Sequence, residues 1–196
     1  MSRVLPTVAL VGLAWVAGST PAAAVPVFWA GNGHWYDVVA FPAATWTAAR
    51  TDATSKVDLG LNWDLATITS QAEQEFIATQ LGPPPVGGIT EYWIGGFQPA
   101  GSAEPGGGWS WVTGEPFAYT YWGPGEPNDS GGEDHLALDN RNFGLNTPPG
   151  WGWNDNDPST YAIVGYVAEA SVPEPGTMLL LGSGLAGLAL RRRRRA

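Results

Sequence analysis

The chain predicts an α+β domain, and three observations carry that prediction. Two helix-forming stretches come first, a set of short strand-like runs separated by Gly and Pro follows, and no cysteine occurs in the 196 residues. Helices and strands that segregate along a chain, rather than alternating, pack as helices against a sheet of mainly antiparallel strands. Without cysteine the domain has no disulfides, thiol nucleophile or thiolate metal site, so packing, hydrogen bonds or an oxygen-bound metal must hold it.

The elements follow in order. Residues 30–41 alternate and are rich in aromatic and β-branched side chains (Trp35, Tyr36, Val38, Val39, Phe41), which predicts an opening strand or strand pair ended by Pro42. Residues 45–50 fit a short helix with Trp46 and Ala49 inward, followed by a polar loop. A short extended entry at 65–68 leads to Ser70 and Glu73, the spacing of a capping box in which hydroxyl and carboxylate satisfy each other's free backbone N–H groups. A second helix is therefore expected from about Gln71 to Leu81, burying Ala72, Phe76, Ile77 and Leu81, and stopped by Gly82 and Pro83 to Pro85. From Glu91 the pattern changes to short strands at 92–96, 109–112, 135–138, 151–153 and 161–167, with 119–122 leading into a loop.

The two ends differ from this middle. Residues 1–24 carry Arg3, an apolar stretch over 8–17 and the small-residue site Ala22-x-Ala24, the layout of a secretory signal peptide. At the other end, residues 172–196 carry Pro173-Glu174-Pro175, an apolar run over 178–190 and arginines at 191–195. That run holds 13 residues, whereas a membrane-crossing helix needs about 20. It is a marginal span, and the arginines would keep its end cytoplasmic. The three parts in this order resemble the PEP-CTERM sorting signal of exopolysaccharide-producing Gram-negative bacteria. The resemblance implies an inner-membrane intermediate held transiently through 178–190, processing by an exosortase near Pro173, Glu174 and Pro175, and delivery to the cell surface or extracellular matrix.

Residues 25–171 remain for one domain with a real core. The chain has nine basic and 18 acidic residues. Six arginines fall in the end segments, leaving Arg50, Lys56 and Arg141 against 17 acidic residues in the domain. Such a charge repels nucleic acid and anionic membranes and suits a cation site or an exported surface. Ten of the 11 tryptophans lie here, which argues against disorder. His34 and His135 have no paired ligand spacing and read as strand residues.

The chemistry is concentrated in the loop 123–134 and in Trp153-Asn154-Asp155. Glu126, Asn128, Glu133, Asn154 and Asp155 offer carboxylate and amide oxygens, the hard ligands that calcium takes six to eight at a time, at roughly 2.3–2.6 Å. Softer metals would favour histidine or thiolate. A cis Glu126–Pro127 bond is accessible and would turn both flanking oxygens toward one point.

Alone, Glu126-Pro127-Asn128 is ordinary loop composition. Taken with Trp93-Ile94-Gly95-Gly96, Trp122, Glu133-Asp134 and Trp153-Asn154-Asp155, the stretch 35–169 resembles a C-type lectin-like domain. The resemblance implies one Ca2+ held by Glu126, Asn128, Glu133, Asn154 and Asp155, the last also through its carbonyl, with a sugar placing two vicinal hydroxyls on the ion. Glu-Pro-Asn implies mannose-type sugars with equatorial 3- and 4-hydroxyls. Trp151 is a candidate stacking platform, against the alternative of a buried structural tryptophan. Asp129 and Asp134, with Glu91 or Glu104, are candidates for a second calcium, against plain solvated acids. The chain departs from the family where His135 and Ala168 stand at expected cysteine positions, and each lost disulfide would cost about 2–5 kcal/mol. The segment 141–150 is a further departure, expected to reposition the site.

The expected function is therefore calcium-dependent carbohydrate binding without catalysis. One alternative is a matrix or protein-interaction domain with structural calcium only. Another is a glycan hydrolase using Glu126 and Glu133 as its carboxylate pair.

Overall fold

The computed structural model describes residues 25–82, 88–141, 150–158 and 162–172. The signal segment, Pro83 to Pro85, Tyr161, the motif Pro173, Glu174, Pro175 and the apolar run 178–190 lie outside the described residues. Among those described, no helix is long and apolar enough to cross a membrane.

The strands are β1 (Val27–Trp29), β2 (His34–Ala40), β3 (Trp63–Leu65), β4 (Glu91–Phe97), β5 (Ser110–Trp111), β6 (His135–Asp139), β7 (Gly152–Asn156) and β8 (Ile163–Ser171). The described strands form one sheet of order β1-β2-β8-β4-β6-β7, with β3 paired to β8 and β5 to β4. Pairing is antiparallel except between β4 and β8, where Glu91 stands opposite Ile163 and the strands run in parallel. The sheet is therefore mixed rather than wholly antiparallel, because β8 returns to the centre between β2 and β4. Both histidines are strand residues, as expected.

This sheet separates two cores, and strand alternation assigns side chains to them. On one face Tyr36, Ile77, Ile94, Trp111, Leu136, Leu138, Trp153 and Val167 pack together. On the other, Trp46, Ala49, Ala53, Trp93, Ala137, Tyr166 and Ala168 do so. Central strands covered on both faces read as nearly continuous apolar runs, which is why Trp93-Ile94 and the stretch 135–138 are so legible in sequence.

Helix α1 (Trp46–Ser55) starts at the N-cap Thr45, whose side chain accepts from Ala48 N at 3.1 Å. It runs five residues beyond the expected end. Ala53 continues the buried stripe of Trp46 and Ala49, while Thr51 and Thr54 donate to the carbonyls of Thr47 and Arg50, so polar residues that read as loop are helical. Helix α2 (Gln71–Leu81) has the expected bounds, with Ser70 accepting from Glu73 N at 3.3 Å. The reciprocal half of the box differs: the Glu73 carboxylate takes the N–H of Thr69 at 2.8 Å, together with the Tyr36 hydroxyl and Asn32 Nδ2. The buried face is accordingly Glu73, Gln74, Ile77 and Ala78, and Ala72 is exposed rather than buried. Gln74 faces inward because it donates to Trp151 O at 3.0 Å and accepts from Trp153 Nε1 at 2.8 Å.

Where cysteines were expected, His135 lays its ring 4.5 Å from that of Trp46 and Ala168 is fully buried. Compensation is visible around Trp153, whose ring meets Trp111, Phe117, Tyr119 and Trp122 at centroid distances of 5.5, 6.0, 5.7 and 5.7 Å. At about 0.5–1.5 kcal/mol per aromatic pair beyond area burial, four such contacts reach the scale of one lost bridge.

Gly165 lies where β8 passes β2, and a Cβ there would run into the carbonyl oxygen of Val39. Because the obstacle is backbone, Gly165→Ala is expected to destabilise the domain by about 1–3 kcal/mol. Urea unfolding should reveal this against Gly106→Ala, where a Cβ would meet nothing within 4 Å; equal midpoints would refute the packing account.

Candidate functional site

Beyond the bridge that pairs Trp122 with Trp153, the chain enters a loop without regular structure, placed by a few hydrogen bonds. Gly123 N donates to Trp153 O at 2.8 Å, and Glu126 N to Gly123 O at 3.0 Å. The carboxylate of Asp155, fully buried, then accepts from Asn128 N at 2.9 Å and from Asp129 N at 2.7 Å. Asp129 sits at φ 50°, and its Oδ1 accepts from Glu133 N at 2.9 Å. Glu133 Oε2 in turn accepts from Ser130 N at 2.9 Å. The Glu126–Pro127 bond is cis, and Asn128 Nδ2 donates to Glu126 Oε2.

These bonds open a cleft of about 220 Å³, lined by Glu126, Asn128, Glu133 and Asn154 together with Glu91, Arg141 and Asn156. Four of the five candidate ligands thus face one space, while the fifth, Asp155, lies beneath the loop and holds its amides. Among the described residues no group of three or more His, Asp or Glu is arranged to hold a metal as it stands. Asp155 and Glu133 each accept from loop N–H groups. The donor chemistry itself, carboxylate and amide oxygen without nitrogen or sulfur, fits calcium.

Burial pushes the Glu126 carboxyl up to about 7, with the neighbouring Asp155 charge adding to it. Burial raises Glu133 as well, opposed by the hydrogen bond from Ser130. Packed acids whose charged forms are disfavoured without a counter-ion are what a cation site requires.

Sequence reasoning missed part of the cleft. Glu91 appears there only as a possible second-calcium ligand, yet its buried carboxylate accepts from Asn154 Nδ2 at 3.1 Å and from Asn156 Nδ2 at 2.7 Å, fixing the amide of a candidate ligand. Burial, then the charge of Asp139, lifts Glu91 to about 7. A carboxylate two residues before Trp93 on an apolar strand was the available signal, as was Asn156 two residues after Asn154 on one strand face. In the sequence Arg141 stands out only as one of three basic residues and as the first residue of the segment 141–150.

Other candidates separate from this cleft. Trp151 is buried, with Nε1 donating to Gly82 O at 2.9 Å, so its ring lies in the core rather than on the cleft wall. Asp129 serves the loop, Asp134 is exposed, and Glu104 is exposed in a different loop, so no second cluster forms among the described residues.

A family profile described as the lectin C-type domain matches residues 45–164, and one described as the PEP-CTERM protein-sorting motif matches 171–194. Halomucin of Haloquadratum walsbyi is 32% identical over 142 residues, covering 69% of this chain, and the chain spans 1% of halomucin's own length. The C-type lectin CEL-I from Cucumaria echinata superposes with a TM-score of 0.57 at 22% identity, over 76% of this chain and 99% of that one. The C-type carbohydrate-recognition domain of cow CD23, solved in the presence of a GlcNAc2Man3 oligosaccharide, does so with 0.51 at 25% identity, over 72% and 90%. A fold of two helices on a mixed sheet, the matched profile and these relatives lead to one conclusion: the chain belongs to the C-type lectin domain family.

Proposed function

We propose that the protein is an exported, calcium-dependent carbohydrate-binding protein that takes mannose-type sugars of an exopolysaccharide or surface glycan. The observation that carries this reading is the cleft in which Glu126, Asn128, Glu133 and Asn154 converge above Asp155. The sorting motif at 171–194 supports export and exosortase processing in a bacterium. The oligosaccharide present with the related CD23 domain supports the sugar class.

In this reading Glu126, Asn128, Glu133, Asn154 and Asp155 hold the ion, with Glu133 and Asp155 keeping their bonds to loop amides. A carboxylate offers roughly four lone-pair sites, enough for an amide and a metal together. The bound calcium supplies the point of attachment for two vicinal sugar hydroxyls. Free carboxylate edges accept hydrogen bonds from those hydroxyls, and the amides of Asn128 and Asn154 donate to them. Glu126 and Glu133 act as ligands rather than as an acid and base pair, so the protein is not an enzyme.

One observation favours a second reading. Asp155 and Glu133 are both spent on the loop backbone, as in a site whose ion only stabilises the loop. A glycan array of the full-length protein decides. Mannose-type signals that vanish with chelator and in Glu133→Gln support sugar binding, whereas calcium uptake with no glycan signal supports the stabilising role.

The carboxyl shifts set a pH dependence. Glu126 is raised from 4.5 to about 7 in the folded state. Without calcium, its protonated form is the one the fold prefers. Its contribution to stability is therefore complete below 4.5 and lost as pH rises to about 7. Calcium needs the ionised form, so binding fades as pH falls through the same window. Thermal melts are expected to show a calcium-induced rise in Tm at pH 8 that is absent at pH 4; an equal rise at both would count against the ligand set.

A further inference from the structure

Two of the domain's three basic side chains lie away from the cleft. Arg50 pairs with Asp64 at 3.0 Å, and Lys56 with Asp37 and Asp58 at 2.8 and 2.9 Å. The third, Arg141, lines the cleft itself. Its aim is fixed by a tether. Nε donates to the fully buried carboxylate of Asp139, which also accepts from the Arg141 backbone N–H at 2.6 Å. From that anchor Nη2 stands 3.9 Å from Glu126 Oε1 and 4.0 Å from Glu91 Oε1. The guanidinium thus stands at both a candidate ligand and the carboxylate that orients Asn154.

We propose that Arg141 is a built-in rival of calcium, a tethered cation that balances Glu126 and Glu91 when no ion is bound and that weakens the site for the ion. The inference rests on the calcium reading given above. Glu126 is the shared element, because its Oε1 cannot face a guanidinium and a divalent ion without bringing the two cations together. An ion on Glu126 comes within the order of 6 Å of the guanidinium, where repulsion even at the dielectric of water weakens binding roughly tenfold. Arg141 cannot simply withdraw, since leaving Asp139 would strand a buried charge. The rival therefore sets a calcium threshold, moving the site toward the weak end of the range, about 10⁻⁴–10⁻³ M, that suits modules working outside the cell.

Calorimetric titration of calcium into the full-length protein and its Arg141→Gln and Arg141→Lys variants tests this. Arg141→Gln is expected to tighten the calcium Kd roughly tenfold, and Arg141→Lys, which keeps the charge, to stay within about threefold of the parent. An Arg141→Gln affinity that is unchanged or weaker overturns the rival role while leaving the calcium reading intact. Calcium uptake by Arg141→Gln but not by the parent upholds the role in its strongest form. If none of the three proteins takes calcium, both readings fall together. Should Arg141→Gln fail to fold, side-chain spectra of ¹⁵N-arginine-labelled parent protein serve instead: calcium must move the Arg141 Nε–H resonance, and one that stays fixed overturns the proposal.

Discussion

The carboxylate of Asp155 joins the sheet of this molecule to the loop that lines the candidate cleft. It sits on β7, fully buried, and accepts the N–H groups of Asn128 and Asp129 from a loop with no strand or helix of its own. Those amides have no partner inside the loop, so losing Asp155 leaves them to find water or stay unsatisfied, at about 1–3 kcal/mol each if buried. The onward bonds from Asp129 to Glu133 to Ser130 extend from this anchor, and Gln98 N holds the end of the loop by donating to Asp134 O at 2.8 Å. The loop is thus irregular in backbone yet fixed in place by the sheet.

β7 serves two masters because strand side chains alternate. Trp153 faces the aromatic core and carries packing, while Asn154 and Asn156 face the cleft through the buried Glu91. A domain that lacks disulfides has put much of its cohesion into the same five residues that shape its site. Core packing and the shape of the candidate cleft are consequently coupled there. A substitution at Trp153 aimed at the core would reach the cleft through its neighbours.

The fold was legible where one physical signal dominated. Continuous apolar strands, the Ser70 cap and the glycine stop of α2 fixed most elements near their observed bounds. Helix α1 outruns its expected end because Thr51 and Thr54 satisfy their hydroxyls on the preceding turn, a choice that composition does not reveal. Ala72 is exposed because two polar side chains, Glu73 and Gln74, take the inner face through partners far away in sequence. The same limit applies at the cleft. The candidate ligands Glu126, Asn128, Glu133 and Asn154 lie within motifs, whereas Glu91 reaches the cleft through the pairing of β4 with β6 and Arg141 through its tether to Asp139.

The parallel pairing of β4 with β8 has a further consequence. Glu91, at the cleft, stands beside Ile163, the first residue of β8, while the described chain leaves the sheet past Ser171 at the far end of that strand. Nine residues of extended chain measure roughly 27 Å, so the point of departure and the cleft occupy opposite poles of the domain. A partner that gripped the protein at Ser171 would therefore leave the acidic mouth of the cleft uncovered, at the free pole.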